Sequence, residues 1–454
     1  MNIYEEAIRT VFHALSKSAP EKFSPVLLCL SDLMVLIGRK GPDRAETIIT
    51  KPDRVSVSRE LSLDGHACIS ALTAGHLAMG LYADFETWLV TKVGSNGEKL
   101  LSEIEEEIKN YADGMFKCFR TNGEDRHIET PSNADEQVTR EIDLHSNENQ
   151  LSWFEFDTFG IESWLTERKY GLLVGDAESY LFTESFDQIR QLCEKAEVVI
   201  IDTSVFKKEQ TRSIEIWNSV KNLTKLNPQT FISISDVDAK ELAACLSDSI
   251  PPNLKTAISV LKDSLSDGYI ALHSSKMNAI FAPGKNKSPI IVPTCNIKPL
   301  GGTNGAGDTF NGALALAALA LKTQKSEKEF EDILIQHMLA FATATVSLRL
   351  EAGCFPTRAE LFEKMDKFIS KDVDKAILSE PSAGDYKALN TSNKTGQLSL
   401  NSAWSYCWDD IPKIFLVDLD HTLCDSKKWR EQATMMAVKK MDLSWEPSQI
   451  LEIY

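Results

Sequence analysis

Gly305, Ala306 and Gly307 stand directly before Asp308, and Asp308 is followed at once by a run, TFNGALALAALAL, that is apolar on nearly every side. Such a run reads as a buried helix, so the glycines open it. The first backbone N–H groups of a helix have no carbonyl one turn back and sit at the positive end of its dipole. Small residues let an anion approach them, so a phosphate or oxyanion fits at Gly305 to Asp308. Asp308 places a carboxylate beside that anion. For anion binding alone its charge is wrong, but for removing a proton from an attacking hydroxyl it is the right group. Cradle and base together point to phosphoryl transfer. A helix cap in a tight turn is the competing account of the same residues.

The elements that must hold this loop are legible around it. Apolar runs, PVLLCLSDLMVLI, AEVVIIDTSVF, TFISIS, GYIALHSS and KSPIIVP, alternate with helical-period segments such as ACISALTAGHLAMGL and ELAACL. That alternation predicts a mostly parallel α/β sheet covered by helices. Residues 117–152, KCFRTNGEDRHIETPSNADEQVTREIDLHSNENQLS, are too polar for a buried layer and suit a lid, with residues 36–60 as a second candidate. Residues 371–411 mix Ser, Asn, Thr and Gly without a sustained period, as an interdomain linker does.

At 454 residues the chain exceeds the size at which one core keeps growing, so two domains are expected. Its 66 acidic against 49 basic residues leave a net charge of −17, which repels phosphate backbones and anionic lipid. Neither nucleic acid nor a membrane is expected as a partner. The nine cysteines are scattered singly, with no C-x-x-C pair, and read as reduced core thiols. MNIYEEAIRTVFHALSKSAPEKF carries acids early and reads as an amphipathic helix, not a cleavable leader. No apolar run is read as reaching transmembrane length, and a cytoplasmic protein is the expectation.

Thr303 to Phe310, within TNGAGDTFNGAL, resembles the second signature of the ribokinase-like PfkB carbohydrate kinase family, written D-T-x-G-A-G-D-x-F. The resemblance covers roughly residues 20 to 368, within a kinase domain of residues 1–370. LSLDGHACISALTAGHLAMGLYADFETWLVTKVGSNGEKLL is similar to the family's amino-terminal signature, with Asp64, Gly65 and Gly94 at its turns. SISDVDAKELAAC is similar to the N-x-x-E segment that helps hold magnesium and its waters, with Asp238 and Glu241 in the two places. The same spacing is also a capping box, and the two readings are compatible.

What the resemblance implies is a doubly wound, mostly parallel ribokinase-like α/β fold with a lid, and a homodimer formed through that lid. It implies an enzyme using ATP and Mg2+. Thr303, Asn304, Gly305 and Gly307 would lie at ATP. Asp308 would be the base, with the amides around Gly305, Ala306 and Gly307 facing the developing charge. The acceptor would be a sugar or related small polyol, with Asp32, Asp64 and Gly65 among its contacts.

Several positions depart from the family pattern. Gly302 stands where the family often has an acid near a monovalent-cation site. Leu36 or Val35 replaces the aspartate that usually follows the first strand, with Asp32 as a substitute by a shift of register. Ile69 replaces a polar asparagine in the glycine-led helix, and HSSKMN carries Ser275 and Asn278 where the turn near the nucleotide has glycines. The catalytic loop is kept while sugar recognition is rewritten. That pattern fits a kinase with an unusual acceptor, or a nucleotide-binding regulatory module without transfer.

After the linker, KIFLVDLDHTLCDS is a short apolar strand ending in D-x-D-x-T, and it resembles motif one of the haloacid dehalogenase (HAD) phosphohydrolase superfamily. The resemblance implies that Asp418 attacks phosphorus, Asp420 protonates the leaving oxygen and then deprotonates water, and Thr422 braces the loop, with magnesium at Asp418. Residues 412–454 supply the first strand and a helix of such a Rossmannoid, HAD-like module. Its later Ser or Thr, Lys and acidic pair do not appear before Tyr454. Either the chain is a fragment of a longer protein or the module is vestigial; a fragment, of a protein that pairs kinase with phosphatase, is the expectation.

Overall fold

In a computed structural model of the chain, the described residues are 2–17, 25–30, 34–39, 59–64, 66–78, 85–111, 116–122, 126–129, 140–142, 159–175, 186–203, 210–247, 251, 253–283, 288–297, 305–324, 330–352 and 355–368. The chain divides into Met1–Ser399 and Leu400–Tyr454, and all described residues fall in the first unit. The expected linker 371–411 and residues 412–454, with Asp418, Asp420 and Thr422, lie outside the described residues.

In chain order the first elements are α1 (Ile3–Lys17), β1 (Val26–Leu30), β2 (Met34–Arg39), β3 (Arg59–Asp64), α2 (His66–Ala78), β4 (Glu86–Val93), α3 (Ser95–Tyr111), β5 (Phe116–Asn122), β6 (Arg126–Glu129) and β7 (Arg140–Ile142). Then come α4 (Ile161–Leu165), β8 (Tyr170–Val174), α5 (Phe186–Lys195), β9 (Val198–Asp202), α6 (Gln210–Leu226), β10 (Thr230–Ser235), α7 (Asp236–Ser247) and α8 (Leu254–Ser264). The series ends with β11 (Tyr269–His273), β12 (Met277–Phe281), β13 (Ile290–Pro293), α9 (Ala306–Gln324), α10 (Asp332–Ala352) and α11 (Arg358–Lys364).

The frame is a nine-stranded sheet in the order β13-β12-β11-β10-β9-β8-β1-β4-β5. Pairing is parallel from β11 through to β5 and antiparallel at β11–β12 and β12–β13. Strands β1 (VLLCL), β8 (YGLLV) and β9 (VVIID) are buried at every residue, as parallel strands covered on both faces must be. Helix α9 packs on α2 and α10 and lies against β8 and β9. From Ala67 to Ala78 every residue of α2 is buried, which explains a segment with almost no polar face.

A second sheet of four strands has the order β3-β2-β6-β7. It draws on both segments read as lid candidates, with different bounds. PVLLCLSDLMVLI, read as one run, divides into β1 of the main sheet and β2 of the small one. Residues 116–122 are not part of the small sheet. They form β5, parallel to β4 on the edge of the main sheet, with Phe116 to Thr121 half-buried. An edge strand needs less apolar surface than a central one, so its polarity misled the sequence reading.

One helix corrects the statement about membrane-length runs. Helix α10, of 21 residues with mean hydropathy 1.4, is long and apolar enough to cross a membrane by length and composition, and 78% of that window is buried inside the fold. It is a core helix against α1 and α9. Among the described residues Cys29, Cys68, Cys193 and Cys295 are buried thiols, in no disulfide. Burial pushes Cys29 and Cys193 above the ordinary thiol range, which makes them inert.

Candidate active site

The strand order turns at β1, which pairs with β4 on one side and β8 on the other. In open α/β sheets the crevice beyond the carboxyl ends of the strands at such a turning point is where ligands bind. Helix α2 begins there. A Cβ at Gly175, the residue after β8, would lie 2.3 Å from the Ala67 nitrogen, so only glycine admits the start of α2. His66, the first residue of α2, is thereby set at the end of the sheet.

Helix α9 begins beside it. Gly305 has φ 71°, a left-handed conformation, and its carbonyl accepts from Thr309 N at 2.9 Å and from Thr309 Oγ1 at 2.8 Å. Gly305 is therefore the N-cap, and by helix geometry the N–H groups of Ala306, Gly307 and Asp308 have no carbonyl one turn back. Arg349 of α10, 5% exposed, donates to Thr309 Oγ1 and lies over the Phe355 ring at 4.9 Å. A Cβ at Gly305 would come 2.8 Å from its Nη2, so space as well as dihedral demands glycine. Gly307 faces His273 at the end of β11, where a Cβ would lie 2.9 Å from the ring. Burial pushes His273 down to about 4, so this ring is neutral although Asp308 opposes the shift.

Asp308 lies in the first turn of α9 and is 8% exposed. Its Oδ1 is 3.0 Å from His66 Nδ1, which also lies 3.5 Å from Asp202 Oδ2 at the end of β9. With carboxylates on both sides, Nδ1 is the ring nitrogen that carries hydrogen. Asn311, one turn along α9, donates from Nδ2 to Asp202 Oδ2 at 2.9 Å and accepts from Ser233 Oγ of β10. Thr203 Oγ1 donates to the Ser233 carbonyl at 2.8 Å. The site is thus a polar chain across the carboxyl ends of β9 and β10, closed by α2 and α9.

Other sequence-predicted residues fall as follows. Asp238 is buried in the first turn of α7, where Ser235 Oγ donates to its Oδ2 and accepts from its backbone N at 3.1 Å. The cap of this helix is therefore Ser235 with Asp238, three residues earlier than a box of Asp238 with Glu241. Glu241 has a buried Oε2 with no hydrogen-bond partner among the described residues. Gly94 caps α3, accepting from Glu98 N at 2.9 Å. Ile69 is 2% exposed. Asn278 is a cross-link, receiving Ser274 N on its Oδ1 at 3.2 Å and donating to Thr343 Oγ1 at 2.8 Å. Val35 and Leu36 lie in β2, opposite Leu63 and Ser62 of β3. Asp64 ends β3, and its side chain, with Asp32, Gly65, Gly302, Thr303 and Asn304, lies outside the described residues.

Sequence reasoning missed His66, Asp202, Asn311, His273 and Arg349. Two had a visible signal: Asp202 ends the apolar run VVIID, and His66 follows the glycine that opens α2. Arg349 had none, sitting in an apolar helix where one charge reads as a surface residue.

No protein-family model matches the sequence, and none of the curated proteins compared with it does. Solved structures do. The fold is similar to ribokinase from Giardia lamblia, with a TM-score of 0.51 and 13% identity over 76% of this chain and 99% of that one. It is also similar to ribokinase from Cryptococcus neoformans var. grubii serotype A in complex with ADP (TM-score 0.49, 16% identity, 75% and 99% covered). A third is fructokinase with bound ATP from Xylella fastidiosa (TM-score 0.48, 13% identity, 75% and 98% covered). At these identities the likeness establishes the ribokinase-like α/β fold alone.

Proposed function

We propose that this chain is an ATP-dependent phosphotransferase that moves the γ-phosphate to a hydroxyl of a sugar or related small polyol. The observation that carries the reading is the placement of Asp308. It is a buried carboxylate in the first turn of a helix whose N-cap is a left-handed glycine, at the carboxyl ends of the strands. The likeness to a ribokinase supports it. In the proposed reaction the acceptor hydroxyl gives its proton to Asp308 as its oxygen bonds to phosphorus and ADP leaves. The N–H groups of Ala306, Gly307 and Asp308 face the charge that develops, and Thr303 and Asn304 are the proposed contacts to ATP on the resemblance alone. Arg349 holds the Gly305 turn through Thr309.

The residues fit magnesium in part. Glu241, whose buried Oε2 has no hydrogen-bond partner among the described residues, is the residue that would hold it, while Asp238 is drawn into the helix cap. When bound, the ion supplies charge neutralisation on the transferred group. The small sheet is the proposed lid and dimer contact, and residues 412–454 carry the proposed phosphatase module.

One observation favours a second reading. The buried Ile69 Cγ2 would lie 3.5 Å from a Cβ at Gly305, which puts an apolar group beside the cradle where the resemblance implies a polar one. A nucleotide-binding module without transfer would tolerate that. ATP consumption across a panel of sugars and polyols, run beside direct ATP binding, separates the two. Turnover supports the kinase, binding without turnover supports the module, and no binding removes both.

A further inference from the structure

We infer that His66, Asp202 and Asp308 form a binding site for a borderline divalent cation of the Zn2+ class, separate from the magnesium assigned to Glu241. His66 Nδ1 is 3.0 Å from Asp308 Oδ1 and 3.5 Å from Asp202 Oδ2, and the three ligand atoms all lie within 4.8 Å of one another. A tetrahedral ion bonded to nitrogen and carboxylate oxygen at about 2.0–2.2 Å spaces its ligands about 3.3–3.5 Å apart. The two spacings at Nδ1 are already close to that.

Charge points the same way. Asp202 and Asp308 are 4% and 8% exposed, and two carboxylates this close in a poorly solvated site repel each other. A divalent cation offsets both, displacing the Nδ1 proton as it binds.

The ligands are also held in place. Asn311 Nδ2 donates to Asp202 Oδ2, Ser233 Oγ fixes Asn311, and Ser70 Oγ donates to the Asp308 main-chain oxygen. Such outer contacts orient ligands and raise affinity. One imidazole with two carboxylates suits zinc and its neighbours over magnesium, which demands octahedral oxygen ligands and keeps its waters. The His66 side chain is a quarter exposed, which leaves an approach from solvent and a position for water.

Calorimetric titration of Zn2+ alone into the full-length chain, in excess Mg2+ and without nucleotide, tests this. One equivalent bound in the micromolar range or tighter is expected, weakened at least about tenfold in His66→Ala and in Asp202→Asn. Thermal melting shows that each variant folds, and zinc is expected to raise the transition of the wild type but not of His66→Ala. Co2+ in place of Zn2+ is expected to give a visible d–d spectrum without a sulfur-to-metal band, which sets the site apart from the cysteines. Equal uptake by wild type and His66→Ala, or displacement by Mg2+, overturns the inference. An ion bound here would take up the carboxylate proposed as the base and so compete with transfer; because the readout is metal uptake without nucleotide, the failure of this inference and that of the kinase reading are told apart.

Discussion

Ser70 Oγ lies 2.8 Å from the main-chain oxygen of His66 and 2.8 Å from that of Asp308, so one hydroxyl ties together two residues 242 apart in sequence. Gly312 makes the approach possible, since a Cβ there would lie 2.2 Å from the Ser70 carbonyl oxygen. Ser70→Ala is expected to cost about 1 kcal/mol in stability. It is also expected to lower kcat while the KM for ATP holds, because the base is displaced and the nucleotide cradle is not. Denaturant unfolding beside steady-state kinetics checks both, and an unchanged kcat would leave Ser70 a packing residue.

Asp308→Asn is expected to reduce transfer by roughly 10² to 10⁴. The amide is isosteric and keeps a contact with His66, so the fold and the affinity for ATP should stay within a few-fold of wild type. Single-turnover transfer and equilibrium ATP binding on the same preparation test this. A variant with near wild-type turnover would reduce Asp308 to a helix-opening residue.

What the sequence disclosed about this site followed from locality. Gly305, Gly307 and Asp308 are contiguous, and each has a conformational or chemical reason readable within one turn of helix. Asp202 and Asn311 meet across 109 residues, and Arg349 reaches Thr309 across 40, so no window of sequence contains the relationship. The main sheet was legible because strands such as VLLCL, and VVIID up to its final Asp202, are apolar runs, whereas β5 was not, since an edge strand need not be. Asp238 shows a third limit. Its spacing to Glu241 suggested a pair, but Ser235, one position before the helix, claims its carboxylate.

Glu241 therefore carries the magnesium proposal almost alone. Glu241→Gln is expected to raise the Mg2+ concentration for half-maximal transfer by roughly tenfold, since the amide keeps the shape and loses the charge. Its melting temperature should change little, because Oε2 makes no hydrogen bond to any described residue that the substitution would remove. A lowered melting temperature with the Mg2+ curve unmoved would count against the assignment.

Acid stability should report on three buried histidines, His273, His76 and His337, the last also held below its ordinary value by burial, against the opposing effect of the nearby Glu6. Burial pushes both His273 and His76 down from an ordinary 6.5 to about 4, and His76 further answers to the nearby Arg349 cation. Between about pH 6.5 and pH 4 the unfolded chain binds protons that these rings refuse in the fold, so stability rises with pH through that window and levels off above it. Each ring contributes at most about 1.4 kcal/mol per pH unit. Glu86, held below the ordinary carboxylate range by Lys117, Arg168 and Trp88 against the opposing effect of burial, adds its own loss only below about pH 4.5. The interval from about pH 5 to pH 6.5 is therefore the histidine window. Denaturant unfolding across it should show a positive slope that falls by up to one ring's share in His273→Gln. If the variant folds and the slope is unchanged, protons reach His273 in the folded chain, and the closed packing of Gly307 against its ring is wrong.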